Sequence, residues 1–283
     1  MSFDQFPTPV RRVVLVVLDG LRPDAVQRFE LAQFARLARI GAATFRAQTV
    51  SPSVTACAMT SLLTGASPEH HGLQSDRFQV PRSRGPLHPL PKQLAARSLP
   101  TSAFLAQVPF LMGGLAQKLA AVAGVGEARF TGKNALEIFR ASERTLEAQR
   151  RGLILFHWPD ADRAGHAHGW MSPEYAMAAG RMDDALGRLA RAVDLTDPST
   201  LLIALADHGG GGRTLKHHDS EHPLDKTIPV VLAGGAIPPS DLGPDVSLTD
   251  IPATILWSLG IPQPDSYVGK PLAQAFAALR VAA

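Results

Sequence analysis

The segment Val13-Val14-Leu15-Val16-Val17-Leu18 constrains this chain more than any other, because it is apolar and mostly β-branched throughout and stops at Asp19-Gly20. A strand with one wet face alternates apolar and polar residues, whereas a run without alternation needs cover on both faces. Similar runs return at 153–156, 201–205 and 228–232, each followed by Pro, Asp or Gly punctuation. Between them, Leu31, Phe34, Leu37 and Ile40 recur at helical spacing and predict a helix over 24–40, stopped by Gly41. Further helical patterns cover 134–150, 173–193 and 249–259. Strands alternating with helices predict an α/β fold, a mostly parallel central sheet with helices on both faces. At 283 residues, 45% of them hydrophobic, the chain can bury one large core, and a single domain spanning 1–283 is expected. The pattern lapses over 78–130, where Pro81, Pro86, Pro89, Pro91 and Pro109 precede Gly113-Gly114. That stretch is expected to be a small irregular, cap-like surface insertion.

Composition narrows the chemistry. A net charge of +3 from 28 basic and 25 acidic side chains, with arginines scattered and not interleaved with aromatics, predicts no grip on nucleic acid. The single cysteine, Cys57, excludes an internal disulfide and any CxxC motif, so a metal would have to use histidine and carboxylate ligands. No run approaches the roughly 20 apolar residues of a membrane span, and the N-terminus lacks a signal-peptide layout, so a cytoplasmic location is expected.

In open parallel sheets ligands bind at the carboxyl ends of the strands, so polar residues just after the apolar runs are the first candidates. Asp19 follows the first run, Asp162 and His166 follow the run at 153–156, Asp207-His208 follow the run at 201–205, and a histidine-rich loop occupies 217–222. Each fragment has an ordinary alternative: Asp19 could cap a turn, and Asp162 with His166 could sit in a surface loop. Two Asp–His sets in one chain strengthen a metal reading, and mixed imidazole and carboxylate donors suit zinc, with manganese as the alternative. In 51–65 a loop enters a short helix closed by Gly65, with Thr55 at its start. A hydroxyl there suits phosphate chemistry, because a helix N-terminus favours anions; the plain alternative is a threonine N-cap.

Taken together, the pieces resemble the alkaline-phosphatase superfamily, closest to its type I phosphodiesterase and nucleotide pyrophosphatase branch. They are the Val-Leu-Asp-Gly strand end, the Thr55 segment through Thr64-Gly65-Ala66-Ser67-Pro68-Glu69-His70-His71-Gly72, the loop 159–169, Ala206-Asp207-His208-Gly209 and 218–229. The resemblance implies two divalent metal ions. Asp162, His166 and His218 would ligate one, with Asp19, Thr55, Asp207 and His208 around the other. His217 is the alternative to His218, because Asp219 stands where the family usually has Gly; His222 would support the ligands. His70, His71, His157 and His168 are expected to pack or to hold loops. Cys57 lies two residues past the aligned nucleophile and lacks the Cys-x-Pro-x-Arg pattern of sulfatases. Asp76 stands where the branch commonly has an Asn that donates to a phosphate oxygen, and its charge would favour monoanionic diesters. The implied activity is hydrolysis of a small phosphodiester or phosphate ester through a phosphothreonine on Thr55. The alternatives are a phosphomonoesterase or phosphonate hydrolase with the same ligands, or a metal-dependent binding protein without turnover.

Overall fold

The computed structural model describes residues 10–75 and 82–276. Its centre is an eight-stranded sheet in the order β4-β3-β5-β1-β6-β7-β2-β8. The strands are β1 Arg12–Leu18, β2 Ala42–Gln48, β3 Thr101–Leu105, β4 Glu127–Phe130, β5 Gly152–Trp158, β6 Thr200–Leu205, β7 Thr227–Ala233 and β8 Ser240–Asp241. As the missing alternation requires, β1 is buried at all seven positions, and it pairs in parallel with β5 on one side and β6 on the other. One strand runs the other way. β7 is antiparallel to both β6 and β2, so its amino end lies beside the carboxyl ends of its neighbours. The loop that precedes β7 therefore reaches the same end of the sheet as the loops that follow the parallel strands.

Helices connect and cover the strands: α1 Pro23–Arg28, α2 Ala32–Ile40, α3 Thr55–Thr64, α4 Pro68–His71, α5 Leu90–Ala95, α6 Gly113–Val122, α7 Ala135–Ala148, α8 Asp160–His168, α9 Pro173–Ala192, α10 Pro223–Lys226 and α11 Asp250–Ser258. The helix expected over 24–40 is two. The chain breaks at Glu30, which adopts φ 52°, and the buried Asp183 carboxylate accepts from the N–H groups of Gln33 and Phe34 at 2.9 and 2.8 Å, capping the amino start of α2 as an N-cap side chain would. The loop expected around Asp162 and His166 is helix α8. The insertion expected over 78–130 is not irregular where it is described. It contains α5, β3, α6 and β4, and its two strands extend the sheet in parallel beyond β5. Pro89 is the N-cap of α5, Pro109 precedes the turn of 3-10 helix before α6, and Pro91 lies inside the first turn of α5, where a missing N–H costs nothing. Asp76 lies outside the described residues.

Candidate metal centre

Five chain segments converge at the carboxyl end of β1. Asp19 leaves β1 and turns at Gly20, whose φ of +70° and lack of Cβ let α8 approach; a Cβ there would stand 2.9 Å from Asp162 Cα. Asp162 and His166, four residues apart on α8, share one face of that helix. Asp207 and His208 leave β6, and His218 comes from the loop before β7. Thr55 arrives from β2.

The structure brings all seven of these residues together. Thr55 Oγ1 lies 3.0 Å from His208 Nε2, which is 3.3 Å from Asp19 Oδ1 and 3.8 Å from Asp207 Oδ2. On the other side His166 Nε2 stands 3.3 Å from Asp162 Oδ1 and 3.1 Å from His218 Nε2. Two clusters could each hold a cation: Asp19, Asp207 and His208, all buried, and Asp162, His208 and His218. The His208 and His218 rings stack 3.8 Å apart at 6°, so the two clusters adjoin. Thr55 is not a cap. Val54 occupies the N-cap position of α3, and Thr55 is the first helical residue, its hydroxyl turned toward His208.

Hydrogen bonding tests whether the donors fit metals. His208 Nδ1 lies 2.9 Å from the Gly209 carbonyl, His166 Nδ1 2.8 Å from that of Lys216, and His218 Nδ1 2.6 Å from that of Ser53. A carbonyl only accepts, so each Nδ1 carries the proton and each Nε2 presents a lone pair. Those lone pairs face carboxylate oxygens and one another at 3.1–3.8 Å. Asp207 Oδ1 accepts from the N–H groups of Gly20 and His208, which leaves Oδ2 for the cluster. Asp19 Oδ1, Asp162 Oδ1 and Asp207 Oδ2 are buried without a hydrogen-bond partner. Buried acceptors aimed at acceptors are costly unless a cation lies between them. The residues present fit two divalent ions, and imidazoles locked through Nδ1 are the usual arrangement of metal-ligating histidines.

Crowding also distorts the acid–base chemistry. Burial first, then repulsion from Asp207 and Asp162, pushes the Asp19 carboxyl up to about 7. Burial pulls the His218 imidazole below its ordinary value.

Sequence reasoning missed one member of this neighbourhood. His157, expected to pack or hold a loop, points its Nε2 between Asp19 Oδ2 at 3.4 Å and Asp207 Oδ2 at 3.9 Å. A lone imidazole near the end of an otherwise apolar buried strand was the available signal. His217 is exposed, whereas His218 is buried in the cluster, so geometry selects His218. His222 supports no ligand; it is the N-cap of α10, its Nδ1 accepting from Leu224 N–H. Beside His166 and His218 a cleft of about 470 Å³ opens, lined by Pro52, Val54, Gln74, Ser75 and His217.

A model of the type I phosphodiesterase / nucleotide pyrophosphatase family matches residues 13–89 and 114–229, more than half of the chain. The chain belongs to this family. The family lies in the alkaline phosphatase superfamily of phosphoester hydrolases, and the matched segments carry all seven residues of the cluster. Among curated relatives, the human GPI ethanolamine phosphate transferase 3 catalytic subunit is 28% identical over 139 residues, which are 47% of this chain and 12% of that protein. A 2,3-bisphosphoglycerate-independent phosphoglycerate mutase from Wolbachia pipientis is 28% identical over 144 residues, 48% of this chain and 27% of that one. The chain thus spans well under two thirds of these relatives. Among solved structures, murine ectonucleotide pyrophosphatase / phosphodiesterase 5 in complex with AMP aligns over 94% of this chain and 100% of its own, with a TM-score of 0.68 at 14% identity. An alkaline phosphatase superfamily protein from Vibrio parahaemolyticus aligns over 95% of this chain and 71% of its own, with a TM-score of 0.71 at 16% identity. Likenesses this distant in sequence speak to the fold, which is that of the alkaline phosphatases.

Proposed function

We propose that this chain is a two-metal phosphodiesterase that works through a phosphothreonine on Thr55. The observation that carries the reading is the Thr55 hydroxyl, at the first turn of α3, pointed at the lone pair of His208 beside three buried, unpartnered carboxylate oxygens. Asp19, Asp207, His208 and Thr55 would hold one ion, and Asp162, His166 and His218 the other. Zinc suits this donor set, with manganese as the alternative. Ions bound there would supply positive charge that lowers the pKa of the Thr55 hydroxyl and offsets charge on the phosphoryl oxygens.

The residues then divide the work. Thr55 Oγ1 attacks phosphorus in line; a bond forms between Oγ1 and phosphorus as the bond from phosphorus to the ester oxygen breaks. Water attacks the resulting phosphothreonine and restores the hydroxyl. The N-terminal end of α3 favours the anionic phosphoryl group through its dipole. The backbone N–H groups of Gly20 and His208 fix Asp207, while Ser53 donates its hydroxyl to the His218 carbonyl and anchors the loop that carries that ligand. The cleft beside His166 receives the second ester group of a diester. The substrate class is a small phosphodiester.

A panel of nitrophenyl phosphodiesters, monoesters, phosphonates and sulfate esters, assayed with zinc and with manganese, tests this proposal. Diesters are expected to turn over fastest, with a phosphoryl group that still carries its second ester substituent trapped on Thr55 after acid quench and peptide mass spectrometry. Faster turnover of monoesters or phosphonates would move the substrate class while keeping the site. No turnover with any of them would favour a binding protein.

A further inference from the structure

Among the described residues no helix is long and apolar enough to cross a membrane, yet one helix exposes the wrong side chains for a soluble surface. The half-buried positions of α6 and its C-cap are small: Gly113, Ala116, Ala120 and Ala123. Its large apolar side chains face outward, with Leu115 38%, Leu119 54% and Val122 66% exposed. Just before the helix a turn of 3-10 helix, Phe110–Met112, projects Phe110 at 96% and Leu111 at 91% exposure. A surface helix ordinarily turns its large apolar residues inward and its polar ones out. Here the order is reversed, and the contiguous apolar surface calls for an occupant.

Charge indicates which occupant. Residues 106–126 contain one charged side chain, Lys118, and no acid. At 100° per residue Lys118 falls on the same stripe of α6 as Leu115 and Val122. It also lies at the middle of α6, so a second copy packed on this helix about a two-fold axis would set Lys118 against its own image. An anionic lipid surface pairs with that cation, and the lysine stem lies along apolar surface while its ammonium reaches the head groups. A bilayer also receives a protruding aromatic and aliphatic tip without a matching hollow.

We propose that residues 110–122 dock the protein on the interface of an anionic bilayer, with Phe110 and Leu111 inserted and Lys118 at head-group level. β3 delivers this segment at the end of the sheet where the Asp–His cluster lies, since Leu105 pairs with His157. The docked protein therefore holds its metal-centre end close to the head groups. This inference does not depend on the reaction proposed above.

The test is co-sedimentation of the full chain with vesicles of phosphatidylglycerol and phosphatidylcholine in equal parts, and with phosphatidylcholine alone. Wild type is expected to pellet with the anionic vesicles, and less at high salt or without phosphatidylglycerol. The double substitution Phe110→Ser, Leu111→Ser should weaken partitioning by about tenfold or more, and Lys118→Glu by about fivefold. These side chains are exposed, so circular dichroism and turnover of a soluble substrate should be unchanged. Wild type remaining in the supernatant, or the double variant pelleting equally, would overturn the proposal. So would a dimer of wild type that the double substitution dissolves without either protein pelleting, because a second copy would then cover this face.

Discussion

Two buried histidine neighbourhoods lie near opposite ends of α3, and they have opposite hydrogen-bond balances. At the amino end, His208 and His218 present lone pairs to carboxylates that have no donors to offer. At the other end, His71 is fully buried and both its nitrogens are matched: Nδ1 accepts from Leu73 N–H at 3.1 Å and Nε2 donates to Ser61 Oγ at 3.0 Å. Burial alone therefore does not distinguish a site from a core. The imbalance of acceptors over donors does, and it marks where a cation fits. His71 instead clamps α4 to α3, the helix that presents Thr55.

The largest effect is expected at Thr55, where the two neighbourhoods meet through α3. Thr55→Ala should lower kcat by at least about 10³-fold while the melting temperature and metal content stay near wild type, because the hydroxyl caps nothing; Thr55→Ser should retain activity. Near wild-type turnover in the Ala variant would leave Thr55 without a chemical role. Next comes the choice between adjacent histidines. His218→Ala removes a buried donor and should weaken metal binding by about 100-fold, whereas His217→Ala alters an exposed ring and should change it little. Equal losses, measured by competition with a chelating dye, would dissolve the distinction drawn from geometry.

The matched histidine makes the smallest and most selective prediction. Burial first, with His70 adding repulsion, pulls the His71 pKa down to about 4 from 6.5. The unfolded imidazole takes a proton below about pH 6.5, while the folded one refuses it until about pH 4. His71 thus contributes stability that is full above pH 6.5 and is lost on acidification through that window. The loss is up to about 3 kcal/mol at about 1.4 kcal/mol per pH unit. Urea denaturation across pH 4–7 should show this slope in wild type and a shallower one in His71→Gln. Identical slopes would mean that His71 titrates normally. Turnover at neutral pH should change far less in His71→Gln than in Thr55→Ala.

Much of this was legible in the sequence because the central strands obey one rule. The runs 13–18, 153–156 and 201–205 within β1, β5 and β6 are apolar throughout and are followed by acids and imidazoles, so Asp19, Asp162 and Asp207 could be read as residues just beyond their carboxyl ends. His218 precedes its strand, and only the antiparallel direction of β7 carries it to the same end; the resemblance supplied what strand logic alone could not. His157 was assigned to packing because its one signal, an imidazole near the end of an apolar buried strand, does not say whether the ring packs or aims at carboxylates. The edge was opaque for a different reason. β4 is four residues long and only partly buried, and α6 buries nothing, so neither leaves the pattern that marked the centre. β2, with three alanines in seven residues, was similarly silent.

The central claim is that the unmatched acceptors around Asp19, Asp162, Asp207, His166, His208 and His218 are a binding site for two divalent ions. Elemental analysis of the purified chain after dialysis against zinc, alongside Asp207→Asn and Asp162→Asn, tests it most directly. Wild type is expected to hold about two ions per chain and each variant to lose at least one, with turnover abolished reversibly by a chelator. A protein that is fully active with one ion or none, or that holds two ions in all three forms, would contradict it.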